Sequence, residues 1–399
     1  MATVYKKVSN TIMKILVIED KIEKYNEIKN CISDWHNEKK LGNNLTFIHA
    51  KNMQQVYGPL HKTKFDLIVF DVFMPTSDCG NEYNCSQDII FAVKDSCNKL
   101  TESIVLTALP SSEDRALFND NGVTFVSVND SNKAWQESLI DKLERIAQKI
   151  SFKFLIFCAL SKERLAFEHS DAIIGDSKNI KGLNCQEITI NNVKGLCIKP
   201  SKMGLVNMAI TATRAIEMFE PDFVGMSGIC AGKSGSSNIL DVIACTVAWD
   251  YQTGKYQDGK FIQEPYQSSQ PDSEQTIIEQ FLDIPDVIQY VKSDLEKYPE
   301  VNKSKLRHGA IASGSTVIAD ESKMEEIKGQ FRKMLGLEME IKAFYEAALQ
   351  ATCKPKFLAA KTVTDLGDVS KEDYFQDVGA IMSARLMFKY IENFFKDDL

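Results

Sequence analysis

The sequence predicts an α/β protein in two parts: an N-terminal (βα)5 domain over residues 1–150 and a C-terminal mixed-sheet α/β domain over residues 151–399. Three observations carry this reading. Short apolar runs alternate with helical stretches five times before residue 130. A charged helical stretch, Asp130 to Ile150, then reads as a connector, and a fresh apolar run opens at Lys153-Phe154-Leu155-Ile156-Phe157-Cys158-Ala159. Finally, 399 residues suffice for two or three full hydrophobic cores.

Composition narrows the function classes. The chain is 26% charged and 44% hydrophobic, ordinary for a soluble globular protein. A net charge of −8 argues against nucleic acid as a partner, because phosphate backbones demand a basic face. No apolar run reaches the length of a membrane span, and Met1 to Ile12 lacks the apolar core of a signal peptide. Ten cysteines without a CxxC pair read as reduced thiols of a cytoplasmic protein. Cys79 and Cys85 are the closest pair, and no second ligand pair accompanies them.

In the first domain, strand signals run Met13 to Ile18, Leu45 to His49, Phe65 to Phe70, Ser103 to Leu106 and Val123 to Val128, with a helical stretch at Ile22 to Trp35. This layout sets Glu19, Asp20, Asp71 and Thr107 at the carboxyl ends of strands. Clustered carboxylates repel one another unless a hard cation joins them, so Glu19, Asp20 and Asp71 are candidate ligands of Mg²⁺. An aspartate so held can accept a phosphoryl group. With Asp71-Val72-Phe73-Met74-Pro75 as phosphoacceptor motif, Glu19-Asp20 as acidic pair and Thr107-Ala108 as switch hydroxyl, the domain resembles a response-regulator receiver. The resemblance implies phosphorylation of Asp71 by an upstream histidine kinase or phosphotransfer protein. It departs at one position: the family expects a lysine near the end of the fifth strand, and Val128 stands there. The polar stretch Thr76 to Asp88 lengthens the loop after Asp71 and is a candidate partner surface.

Further strand signals in the second domain are Phe223 to Ser227, Asp241 to Trp249, His308 to Ser313, Met334 to Met339 and Lys356 to Val363. Helical signals are Gly204 to Phe219, Ile341 to Ala351 and Tyr374 to Phe395. The polar stretch Tyr251 to Asp272, with the helical Glu274 to Leu295, reads as an insertion and a candidate lid.

Six segments of this domain carry chemistry when taken together: Ala159-Leu160-Ser161-Lys162-Glu163, Gly228-Ile229-Cys230-Ala231-Gly232, Asp241-Val242-Ile243, Ala312 to Ile318, Glu338-Met339-Glu340, and Thr364-Asp365. In this order they resemble the nucleoside phosphorylase and nucleosidase superfamily, whose members break the bond between a base and a ribose. That reaction builds positive charge on the ribose and negative charge on the base. Asp365 is placed as the acid at the base nitrogen, with burial expected to raise its pKa. Glu163 is the candidate base for an attacking water. Glu340 can accept hydrogen bonds from the ribose hydroxyls and favour the cationic sugar. Met339, Glu338, Ile318, Val317, Cys230, Ala231, Gly232 and Lys233 are the candidate substrate contacts, with Glu338 equally readable as a structural partner of a backbone amide or a lysine. No cofactor is expected in this domain.

Water is favoured over phosphate as nucleophile. Hexameric-type phosphorylases use an arginine and a serine at positions where Met226 and Ile229 stand here, and a phosphate site without its cation and hydroxyl is poor. Lys162, Arg164, Lys202, Arg214, Lys233 and Arg307 lie near the pocket segments and together make a nucleotide substrate plausible. A receiver joined to a base-cleaving domain resembles the effector of Detocs-type anti-phage systems. That resemblance implies a phosphorylation-controlled enzyme that cleaves ATP to adenine and ribose triphosphate, and a homo-oligomer is expected. Two alternatives stay open: a phosphorylase or nucleosidase of salvage, and a non-catalytic nucleoside sensor.

Overall fold

The computed structural model describes residues 12–39, 44–99, 101–108, 112–128, 134–264, 266–318, 320–367 and 373–396. The chain divides into two compact units, Met1–Ile150 and Ser151–Leu399. Among the described residues no helix is long and apolar enough to cross a membrane.

The first unit is built on five parallel strands: β1 (Ile12–Ile18), β2 (Asn44–Ala50), β3 (Leu67–Phe70), β4 (Glu102–Thr107) and β5 (Thr124–Ser127), in the order β2-β1-β3-β4-β5. Strands buried on both faces read as continuous apolar runs, and Ile15, Leu16, Val17 and Ile18 are all fully buried. Alternate residues feed two cores. Leu16, Ile18, Ile68, Phe70 and Val105 pack on one side. Ile15, Val17, Leu67, Val69, Ile104 and Leu106 pack on the other, against α1 (Ile22–Glu38) and the helix Ala134–Ser151. That last helix corrects the connector reading: Trp135, Leu139, Leu143 and Ile146 bury its apolar face in the unit's own core. Residues 130–133 of the expected connector lie outside the described residues. The register aligns Ile18 with Phe70 across β1 and β3, so Glu19 and Asp71 emerge side by side. The chain neighbours diverge there, which is where open parallel sheets bind ligands. The stretch after Asp71 forms a small hairpin, Phe73–Pro75 with Glu82–Asn84.

The second unit holds a ten-stranded mixed sheet. Its strands are β6 (Phe154–Phe157), β7 (Ile173–Ile180), β8 (Leu183–Ile190), β9 (Val193–Lys199), β10 (Phe223–Gly232), β11 (Val242–Asp250), β12 (Gln267–Ser269), β13 (Leu306–Ser313), β14 (Met334–Glu338) and β15 (Lys356–Asp365). The antiparallel run β7-β8-β9 is absent from the sequence reading, because β7 is mostly exposed and lacks an apolar face. The central strands close on themselves: β10 pairs with β14 and β15, β14 with β13, β13 with β11, and β11 with β15. Helices α7 (Leu205–Phe219) and α12 (Ile341–Gln350) share one core with β10 and β15. The helix α13 (Gln376–Phe394) packs against the opposite core. The expected lid is partly core. Ile278, Phe281, Leu282, Val287 and Val291, from the helices Asp272–Leu282 and Pro285–Lys292, bury in the same cluster as α13, so these helices support the sheet. The hairpin Gly254–Gln257 with Lys260–Gln263 is mostly exposed.

Candidate functional site

The site of the second unit forms where β10 and β15 run parallel and finish together, with Ala231 opposite Asp365. Glu163 reaches it from the short helix α6 (Ser161–Leu165) that follows β6. Its carboxylate is 1% exposed and carries one donor on each oxygen. Leu160 N–H donates to Oε2 at 2.8 Å and Ile229 N–H donates to Oε1 at 3.0 Å. The carboxylate lies directly on Gly228: a Cβ there would sit 2.2 Å from Glu163 Oε1. Gly228, in the middle of β10, therefore provides the space that Glu163 occupies.

Glu338 ends β14 and is spent on the protein. Its Oε1 accepts from Ser313 Oγ at 2.6 Å and Ile341 N at 2.9 Å, and its Oε2 accepts from Glu340 N at 2.9 Å. It thereby satisfies amide groups at the start of α12, where a helix leaves donors without internal partners. Of the two readings of Glu338, the geometry is that of the structural partner. Glu340 is 3% exposed, and its Oε1 accepts from Gly204 N–H at 2.8 Å.

Between these acids stands Lys361, absent from the sequence reading. It sits in the middle of β15, opposite Gly228 on β10 and Ile243 on β11, and is 1% exposed. Its Nζ lies 3.3 Å from Glu338 Oε2 and 3.9 Å from Glu340 Oε2. Burial works against its ammonium, but the charges of Glu163, Glu338 and Glu340 outweigh that and hold its pKa above the ordinary value. Burial raises Glu340 to about 7, opposed by Lys361 and reinforced by Glu338 and Glu163. A signal for Lys361 did exist: a single lysine inside the apolar run Phe357 to Val363 cannot be buried without carboxylate partners.

Asp365 is half-buried at the end of β15, and its Oδ1 accepts from Gly367 N–H at 2.9 Å. Met339 is half-buried in the bend between Glu338 and Glu340. Gly232 is packed tightly, with a Cβ there falling 2.6 Å from Val363 and 2.8 Å from Ser237 Oγ. Ala231 lies beside it on β10. The remaining candidates sit as follows. Cys230 is buried in the apolar core shared with α7 and α12. Ile318 packs with Trp249, Tyr251 and Met324, whereas Val317 is 56% exposed. Lys233 Nζ donates to Arg332 O at 3.0 Å.

The acidic pocket of the first unit has its own surprise. Glu19 is 1% exposed and burial raises its pKa to about 7, opposed by Lys24 and reinforced by Asp71. Asp71 Oδ1 accepts from Val72 N–H at 2.6 Å. Asp20 Oδ1 is buried with no hydrogen-bond partner. Thr107 ends β4 and is 4% exposed. The cation in this pocket is Lys24, from α1. Among the described residues no three His, Cys, Asp or Glu side chains are grouped to hold a metal ion, and Glu19 Oε2, like Asp20 Oδ1, is buried with no hydrogen-bond partner. Val128 is partly buried against the core shared by α1 and the last helix, and it brings no charge.

Comparison with known proteins places residues 153–392 in a match to the family described as the Phosphorylase superfamily. A protein of Sinorhizobium fredii, "Uncharacterized protein y4jS", is 25% identical over 94% of this chain and 97% of its own length, so the similarity runs through both units. The 5'-methylthioadenosine/S-adenosylhomocysteine nucleosidase of Bacillus velezensis is 23% identical over 54% of this chain and 90% of its own. Among solved structures, the nucleosidase of the same name from Neisseria meningitidis aligns with 19% identity and a TM-score of 0.48, covering 61% of this chain and 100% of its own.

Proposed function

Because the chain belongs to the phosphorylase superfamily, we propose that its second unit is an N-glycosyl hydrolase that separates a purine base from its ribose. One observation supports this most: Glu163 and Glu340 converge on Lys361, next to the strand end that carries Asp365. In this reading Glu163, held by two backbone amides, takes the proton of an attacking water. Glu340 accepts from the ribose hydroxyls and faces the developing positive charge. Asp365 protonates the departing base. Water is the nucleophile, since Met226 and Ile229 supply no anion site and Ser227 is buried against Ser383 Oγ at 3.2 Å.

The substrate proposed is a purine nucleotide, ATP, cleaved to adenine and ribose triphosphate. Support comes from Lys202, an exposed cation two residues before the Gly204 amide that holds Glu340. Lys162 does not add to it, since it donates to Gln376 Oε1 at 2.6 Å and lies 3.9 Å from Asp377. Arg164, Arg214 and Arg307 do not add to it, being engaged with Asn184, Lys181 O and Ser236 O respectively. The control proposed is phosphorylation of Asp71 by a partner kinase, in a cytoplasmic homo-oligomeric effector of anti-phage defence. The pairing of the two units supports that.

Base release from ATP, AMP, adenosine and guanosine in phosphate-free buffer tests the chemistry. Adenine from ATP, falling by about 10²–10⁴-fold in Asp365→Ala, is the expected outcome. Release only after phosphate addition would return the site to phosphorolysis. For the control, Asp71→Ala should abolish any stimulation by the cognate kinase; equal stimulation of both proteins would overturn it.

A further inference from the structure

The ammonium of Lys24 sits where three acceptors meet. It lies 2.9 Å from Glu19 Oε2 and 2.6 Å from Asp71 Oδ2, and donates to Leu106 O at 2.9 Å. A protonated lysine has three donors: two make hydrogen bonds, to Asp71 Oδ2 and Leu106 O, while Glu19 Oε2 is held by charge alone, without a hydrogen bond. The two carboxylates come from the ends of β1 and β3 and the carbonyl from near the end of β4, so one side chain ties three neighbouring strands at their carboxyl edge.

We propose that Lys24 is the built-in cation of this pocket: it neutralises Glu19 and Asp71 and excludes a divalent ion from them. Two independent observations agree. Among the described residues no three His, Cys, Asp or Glu side chains are gathered into a metal-binding group, although Glu19, Asp20 and Asp71 all follow strands β1 and β3 at one sheet edge. The fifth strand brings Val128, whose side chain packs with apolar neighbours, so Lys24 is the charge that reaches Asp71 Oδ2. A lysine tethered three residues into α1 also carries its charge at no cost in ion concentration. Its attraction is set by geometry, while Mg²⁺ must shed water to enter. The proposal concerns the resting charge of the pocket and is independent of whether Asp71 is phosphorylated.

Mg²⁺ and Mn²⁺ titrations of the full chain test this. For the wild type, neither ion at about 1 mM should shift the thermal midpoint or show a calorimetric binding isotherm. For Lys24→Met, the midpoint should rise with ion concentration and affinity should tighten by at least about tenfold, reversed by Asp71→Asn in the same chain. Lys24→Gln, which keeps a hydrogen-bond donor without the charge, should behave likewise and guards against misfolding of the methionine variant. Submillimolar binding by the wild type, or equal affinity in wild type and both variants, would overturn the proposal.

Discussion

Replacing Lys361 with methionine is expected to cost about 3–5 kcal/mol of stability, the usual consequence of leaving buried carboxylates without their cation. The volume is nearly conserved, so the loss reports charge. Glu338 retains Ser313 and two amides, but Glu340 keeps only the Gly204 amide among the contacts described above. Activity should respond as well, and with a definite sign. In the proposed reaction Glu340 acts as a carboxylate, so base release should fall as pH drops through about 7. Lys361 holds that value down, while Glu338 and Glu163 push it up. Lys361→Met should therefore move the acid limb of the profile to higher pH. Urea unfolding midpoints and pH–rate profiles for the two proteins check both statements. An unchanged midpoint with an unmoved limb would show that Lys361 is not the charge that organises the site.

The second large effect belongs to Gly228. An alanine methyl there would stand 2.2 Å from Glu163 Oε1 and 2.6 Å from its Cδ, distances that no side chain tolerates. Glu163 is confined by Leu160 and Ile229, so it must leave one of these amides to make room. Gly228→Ala should then reduce base release by about 10²–10⁴-fold, comparable to loss of the general base itself. Substrate affinity should change far less. A Michaelis analysis separates the two, with circular dichroism to verify the fold. Wild-type turnover in this variant would remove Glu163 from its proposed role.

Much of this architecture is legible in the sequence, for physical reasons. The parallel strands of the first unit are buried on both faces, so Ile15 to Ile18 and Leu67 to Phe70 announce themselves as apolar runs. Glu19 and Asp71 follow such runs directly, which is why their adjacency can be anticipated. Glu163, Glu340 and Asp365 are named instead through the superfamily resemblance of the segments that hold them. What escapes is side-chain reach. Lys24 looks like one of many helix-surface cations, and only the tertiary structure shows its amine turned toward β1, β3 and β4. Lys361 hides inside a strand, and its partners lie on elements far away in sequence. The strand Ile173–Ile180 escapes because it is mostly exposed and carries little hydrophobic signal, whereas Leu183–Ile190 does bury alternate residues, Leu183, Cys185, Ile188 and Ile190, a signal that the sequence reading passes over. At Ile318, a candidate substrate contact, the side chain fills the core beside Trp249, a placement that an isoleucine alone does not reveal in the sequence.

The ring of strands closed by β15 has a consequence for synthesis of the chain. Lys361 and Asp365 belong to the segment that pairs with residues 223–232 and 242–245, all made much earlier. Until that segment emerges from the ribosome, Glu338 and Glu340 have no buried cation and the strand end opposite Ala231 is missing. A growing polypeptide thus carries Glu163 and both later glutamates without a working centre. A chain that stops before residue 356 lacks the strand that carries both Lys361 and Asp365, so under the proposed chemistry it should release no base.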